Sequence, residues 1–296
     1  MILSGCPLGH TIRAATAGLF VLGLSACTEP FDAPLGPERE DPNLVSSVVD
    51  DVNLNDLMLT VADPKDGVAY FRDALSRDPD RPDLKRGYAL SLARARRHAD
   101  AVIIFEELSA EGHSDAELRL EHANSLARLE RWDEAENQMA LVGSDVEVPR
   151  RYLIDAMLAD HRGDWDQSDA AYERARRLSA NPAAILNNWG VSRLSRKDYG
   201  GAQKTFEQAL AHDPSLFSIK NNLAVSRALQ GEYRLPLVSI NDEERATLLH
   251  NVGVIALRRG ETEVAKGLFA KAVETHPRYY PSAAEKLAAL NANVIN

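Results

Sequence analysis

The stretch NNWGVSRLSRKDYGGAQKTFEQALAHDP (187–214) holds two helical segments and the turn between them. Trp189 and Gly190 lie in the first segment. In the second, Tyr199, Ala202, Phe206 and Ala209 recur at steps of three and four residues, which places them on one face of an α-helix. Pro214 then stops the helix, because it has no N–H to donate and restricts the residue before it. Small residues at Gly190 and Ala202 allow the two helices to approach closely, and Phe206 is the knob that fills the space beside them. Such a hairpin cannot bury its apolar face alone.

The same small–bulky–small signature returns along the chain. It reads Ala101–Phe105–Leu108, Ala135–Met139–Val142, Ser168–Tyr172–Ala175, Ala202–Phe206–Ala209 and Ala265–Phe269–Ala272. Successive first members lie 34, 33, 34 and 63 residues apart, the last step spanning one shortened unit. Self-similarity at this period signals stacked repeats, whose stability sums over neighbours. The pattern resembles the tetratricopeptide repeat (TPR), most closely over 183–216. The resemblance implies an all-α, right-handed α-solenoid of helical hairpins. Its units are expected at about 48–81 (degenerate, keeping Phe71, Ala74 and Pro79), 82–115, 116–148, 149–182, 183–216, 217–245 and 246–279. YPSAAEKLAALNA (280–292) reads as a capping helix with Pro281 near its start, within a cap spanning 280–296.

Unit 217–245 departs from the pattern. Its first helix runs to Gly231, but EYRLPLVSI (232–240) sets Pro236 where the small residue belongs, and five residues are missing. Leu237, Val238 and Ile240 read as extended. The segment is either a decayed second helix bridged by an apolar loop, or a break that presents a docking edge; the first does not exclude the second.

A second echo runs through the first helices: NNWGVSRL (187–194), NNLAVSRA (221–228) and HNVGVIAL (250–257). Asn187, Asn221 and His250 stand at the fifth position of their units, Asn188, Asn222 and Asn251 at the sixth, and Val191, Val225 and Val254 at the ninth. Positions five and nine share a helical stripe. An asparagine both donates to and accepts from a peptide backbone. The resemblance implies that the first helices line a concave groove and that Asn188, Asn222 and Asn251 grip an extended peptide there. Otherwise such amides bridge adjacent units or face water. At the sixth position the earlier units carry Gly87, Glu121 and Ile154, so a groove ligand is expected to favour the C-terminal half.

The first residues carry an address. His10 and Arg13 precede an apolar run, AATAGLFVLGLSA (14–26), of signal-peptide length, ending in Leu24-Ser25-Ala26-Cys27. LSAC resembles a bacterial lipobox, which implies a signal peptide over 1–26 and lipidation of Cys27. Thr28 after the cysteine implies the outer membrane. Cys6 would leave with the signal, so no intramolecular disulfide is available to the mature chain. Residues 27–47 follow as an acidic, proline-bearing tether; between 28 and 66 there are ten Asp and Glu against Arg39 and Lys65. The formal net charge of −10 argues against nucleic acid, whose phosphates call for a basic stripe.

Eight histidines show no metal spacing: there is no H-E-x-x-H and no Cys/His pairing. His122 occupies a buried-type position and reads as a satisfied core histidine. HRGDWD (161–166) reads as a turn, with Gly163 ending one helix and Trp165 packing at the start of the next. With no phosphate loop or nucleophile elbow either, the sequence predicts no enzyme, no metal site and no cofactor.

The whole resembles the lipoprotein of tight-adherence (Flp/Tad) pilus assembly, the TadD type. Those proteins combine a lipobox, an acidic tether and a similar number of repeats. The resemblance rests on MLTVADPKDGVAYFRDAL (58–75), the 187–214 stretch, IKNNLAVSRALQGEYRLPLV (219–238) and ERATLLHNVGVIAL (244–257). It implies a non-enzymatic scaffold or pilotin, lipid-anchored on the periplasmic face of the outer membrane. Its groove would hold proteins such as a secretin or pilus components. A generic envelope adaptor, serving peptidoglycan enzymes or outer-membrane assembly, is the alternative.

Overall fold

The computed structural model describes residues 54–292. The expected signal peptide, Cys27, the tether, the first residues of the opening unit and the last four residues lie outside them. Among the described residues there are fourteen helices: α1 (Leu54–Thr60), α2 (Pro64–Arg77), α3 (Pro82–Arg94), α4 (His98–Ala110), α5 (Ala116–Arg128), α6 (Trp132–Ala140), α7 (Pro149–Arg162), α8 (Trp165–Leu178), α9 (Ala183–Ser195), α10 (Tyr199–His212), α11 (Phe217–Leu229), α12 (Asp242–Arg258), α13 (Thr262–Thr275) and α14 (Pro281–Ala292). The architecture is the expected all-α solenoid. None of these helices is long and apolar enough to cross a membrane.

Every residue of the five small–bulky–small triplets is buried. Phe71, Phe105, Phe206 and Phe269 are wholly shielded from solvent; burying such a ring stabilises by about 2–3 kcal/mol. A methyl group added at Gly190 would overlap the Phe206 ring, and one at Gly253 would crowd Phe269. The absent Cβ is therefore what lets the ring lie flat against the first helix. Phe206 also packs with Leu223 of the following unit, so one knob serves both the hairpin and the stack.

Six of the turns out of a first helix are built alike. The third residue after α3, α5, α9, α11 and α12, and the second after α7, close a six-to-one hydrogen bond: Arg97 N–H to Leu92 O, Arg131 to Leu126, Asp198 to Arg193, Glu232 to Arg227, Glu261 to Ala256 and Asp164 to Ala159. The residue before each donor has positive φ: Arg96, Glu130, Gly163, Lys197, Gly231 and Gly260. This left-handed cap satisfies orphan carbonyls at the helix end. Only three of the six are glycine, so the mark is half hidden in the sequence. Asp164 and Asp198 then cap α8 and α10 by accepting from Gln167 N–H and Gly201 N–H.

Successive first helices touch: α1 with α3, α3 with α5, α5 with α7, and α9 with α11. Second helices pack chiefly on first helices. A stack curves toward the side on which its helices meet, so the first helices form the inner wall.

In the shortened unit no helix follows α11; residues 230–241 run as turn and irregular chain. α11 instead packs directly on α12. Tyr233, Leu235 and Ile240 cover the cluster of Ala224, Ala228 and Leu248, and Pro236 is buried, while Leu237 is fully exposed. Lys220 pins this segment: its buried ammonium donates to Ser239 O at 2.9 Å and to Glu244 Oε2 at 3.1 Å. Glu244 is also half of the capping box that starts α12, reciprocal with Asn241. That box lengthens α12 by four residues beyond the 246 boundary expected from the repeat.

Candidate functional site

The polar ladder is present, and its amides are turned toward one another. Asn222 Nδ2 donates to Asn187 Oδ1 at 3.0 Å, Asn251 Nδ2 donates to Asn221 Oδ1 at 2.7 Å, and Asn221 Nδ2 reaches Asn222 Oδ1 at 3.5 Å. His250 Nδ1 meets Asn251 Oδ1 at 3.2 Å. One chain of side chains thus joins α9, α11 and α12. Asn187, Asn221 and Asn222 are 2%, 2% and 1% exposed, and Val225 is buried beside them. Val191 and Val254 are half-buried and pack on the apolar clusters between helices. Of the nine ladder residues, Asn188, His250 and Asn251 remain half-exposed polar groups.

The physical reason lies in α11. With no second helix after it, α11 is enclosed by α9, α10, α12 and the 232–240 segment. Its inner face meets its neighbours instead of solvent, so a polar residue there requires a partner within the protein. Two of the three sixth-position amides expected to grip a ligand, Asn222 and Asn251, donate across unit boundaries. Asn188 alone keeps an amide nitrogen that is shielded and without a hydrogen-bond partner.

Between α7 and α9 the inner wall lacks the close helix contact found at the neighbouring junctions, and polar groups hold the seam. Asp160 Oδ1 accepts from Ser168 Oγ and, at 2.7 Å across the seam, from Ser192 Oγ; Oδ2 accepts from Tyr172 Oη at 3.1 Å. Burial raises the Asp160 carboxyl above its ordinary value, against the lowering pull of those donors. Burial also pushes the Tyr172 phenol well up. Nothing in residue spacing announces this cluster, because its members come from three helices.

Gly163 ends α7 in the left-handed region and Trp165 opens α8. Trp165 is partly exposed, with the Arg196 guanidinium 5.7 Å from its ring centre. His122 is buried, 3% exposed, but it is not satisfied: neither ring nitrogen has a hydrogen-bond partner. It lies stacked on Phe105 with centroids 5.4 Å apart, and burial lowers its pKa. A neutral ring in an apolar site accounts for both facts. Among the described residues no cluster of three His, Cys, Asp or Glu is placed to hold a metal ion.

Comparison with known proteins agrees with this architecture. A family model described as Tetratricopeptide repeat matches residues 59–116, not the 183–216 unit whose residues fit the pattern best. Among solved structures the chain resembles human IFIT1, in a dimer with PPP-AAAA, with a TM-score of 0.56 and 15% identity over 78% of this chain and 59% of that one. A monomeric IFIT1 mutant with Gppp-AAAA gives a TM-score of 0.59 at 14% identity, covering 81% and 61%. Cut9, in the APC/C hetero-tetramer Cut9–Hcn1, gives 0.54 at 16% identity, covering 82% and 50%. The chain spans about half to three-fifths of the length of these proteins. No curated protein matches it. The likeness establishes the solenoid.

Proposed function

We propose that this protein is a non-enzymatic scaffold that holds another polypeptide against the inner wall of its solenoid. The observation that carries this reading is Asn188. It stands on a first helix one turn before Ser192, which bonds across the seam to Asp160, and its own amide nitrogen lacks an acceptor. A buried donor left unmade costs about 1–3 kcal/mol, and a peptide carbonyl inserted at the seam would remove that deficit. Asn251 and His250 offer further half-exposed polar groups on α12, and Met157 of α7 a half-buried apolar one.

The lipobox LSAC and the acidic segment after it support an anchored scaffold on the periplasmic face of the outer membrane. The resemblance to TadD-type lipoproteins supports a role in Flp/Tad pilus assembly, with a secretin or pilus component as the partner. One feature favours this over a generic envelope adaptor lipoprotein: the shortened unit with its LP at 235–236.

The test has two arms. Cys27→Ser should abolish fatty-acid labelling and release the protein from membranes; unchanged labelling refutes the anchor. Asn188→Ala combined with Asn251→Ala should weaken capture of secretin or pilus components from cross-linked envelopes while helical circular dichroism stays constant. Undiminished capture refutes the inner-wall reading.

A further inference from the structure

The face of α9 turned away from the ladder carries a second stripe. Leu186, Trp189 and Arg193 lie three and four residues apart and so share one side of the helix, roughly opposite Asn187, Asn188 and Val191. This side opens between the second helices α8 and α10 into a cavity of about 430 Å³, lined also by Arg176 of α8 and by Thr205 and His212 of α10. It lies on the outer wall, independent of the inner-wall reading above.

The cavity is built and electrostatically unbalanced. The Trp189 indole is fixed: its N–H donates to Asp169, its ring stacks on Tyr172 at 6.0 Å and 13°, and the Arg193 guanidinium lies 4.4 Å from its ring centre. Arg193 is held by Thr205 Oγ1 at 2.9 Å, yet its Nε is shielded and makes no hydrogen bond. Its nearest carboxylate, Asp169, stands 3.9 Å away and is already engaged by Arg196 at 2.7 Å. The other carboxylate, Glu173, is taken by Arg176 at 2.7 Å and Arg177 at 3.3 Å. Around this cleft two carboxylates face four guanidiniums, beside an apolar floor of Leu186 and Trp189.

We infer that the cleft between α8 and α10 is a binding site for a carboxylate carried next to an apolar side chain, on a second polypeptide. The carboxylate would sit by Arg193, which supplies the surplus charge. The apolar group would cover Leu186 and the indole edge. A guanidinium takes a carboxylate through charge-assisted hydrogen bonds, and its partial desolvation here strengthens the contact. Such a carboxylate is either a chain terminus or an acidic side chain.

The full chain contains three tryptophans, so its indole N–H signals can be resolved by nuclear magnetic resonance, with Trp189→Phe assigning the signal of interest. Three probes are titrated: acetyl-glycyl-phenylalanine, its C-terminal amide, and acetyl-glutamyl-phenylalaninamide. The Trp189 signal should move with at least one carboxylate-bearing probe and not with the neutral amide. The responding probe tells terminal from side-chain carboxylate. Arg193→Gln should weaken that response about tenfold, the scale of one charge-assisted contact. A Trp189 signal that stays still with both carboxylates, moves equally with the amide, or responds undiminished in Arg193→Gln overturns the site. If Arg193→Gln fails to fold, the amide comparison on the unaltered chain decides.

Discussion

Asn222 of α11 donates its side-chain N–H to Asn187 Oδ1 of α9 at 3.0 Å, and both residues are shut off from solvent. The bond binds the complete unit of α9 and α10 to the shortened unit that follows it. Asn222→Ala should therefore leave the Asn187 carbonyl unsatisfied and lower stability by about 1–3 kcal/mol. Urea denaturation of the single and double alanine variants measures this. Coupling between the two sites is expected, because the second loss removes a group already deprived of its partner. An unchanged midpoint for both singles would mean the amides are hydrated and not paired.

The left-handed caps predict a gain of stability. Lys197 holds a φ of 66° and Glu130 one of 59°, where glycine carries no Cβ penalty. Lys197→Gly should raise stability by about 0.5–1 kcal/mol, and Gly231→Ala should lower it by about the same amount or more. Thermal melts of the two variants read opposite signs. A destabilised Lys197→Gly would show that the lysine side chain, not the backbone, sets that turn.

Gly190 has no room for a side chain. A methyl group there overlaps the Phe206 ring, so Gly190→Ala should cost about 1–3 kcal/mol through overpacking. Gly267, which has open space around its Cβ position, is the control: Gly267→Ala should be neutral or stabilising. Equal melting temperatures for the two variants would contradict the close packing of α9 on α10.

Stability should fall as the medium is acidified below about pH 6.5. Burial lowers His98 to about 4, with Arg128, Arg96 and Arg150 adding repulsion, and lowers His122 and His250 as well. Unfolding frees these rings to bind protons, so between pH 6.5 and 4 the unfolded state takes up more protons and is favoured. Asp155 and Asp160, raised by burial, act in the opposite sense: their folded forms hold protons more tightly, which favours folding at lower pH. The three histidines titrate first on the way down from neutrality. His122→Leu, which removes an unsatisfied ring from the Phe105 contact, should flatten the upper part of the decline in denaturation midpoints. An identical slope in that variant would place the pH sensitivity elsewhere.

How far the sequence foretold this molecule follows from what each feature depends on. The solenoid was legible because Ala202, Phe206 and their counterparts recur at fixed spacing and all meet the same requirement, burial between paired helices. The loss of a helix after α11 was legible because Pro236 cannot sit inside one. The use of the ladder was not. Position in the repeat placed Asn222 on the inner stripe, but whether that stripe meets solvent depends on how closely α12 falls against α11, which the missing helix controls. Asp160, Ser192 and Tyr172 were invisible as a group because three helices bring them together. Arg193 was silent for a similar reason: its surplus charge appears only when Asp169 is seen to be taken by Arg196.

The account is tested most directly by placing a photo-activated cross-linking residue at position 188, and in a second variant at position 222, in otherwise intact cells. Position 188 should trap one defined envelope protein at the inner wall, whereas position 222, enclosed between α9 and α12, should trap none. Equal trapping from both positions, or trapping from 222 alone, would contradict the division between a sealed ladder and an open seam.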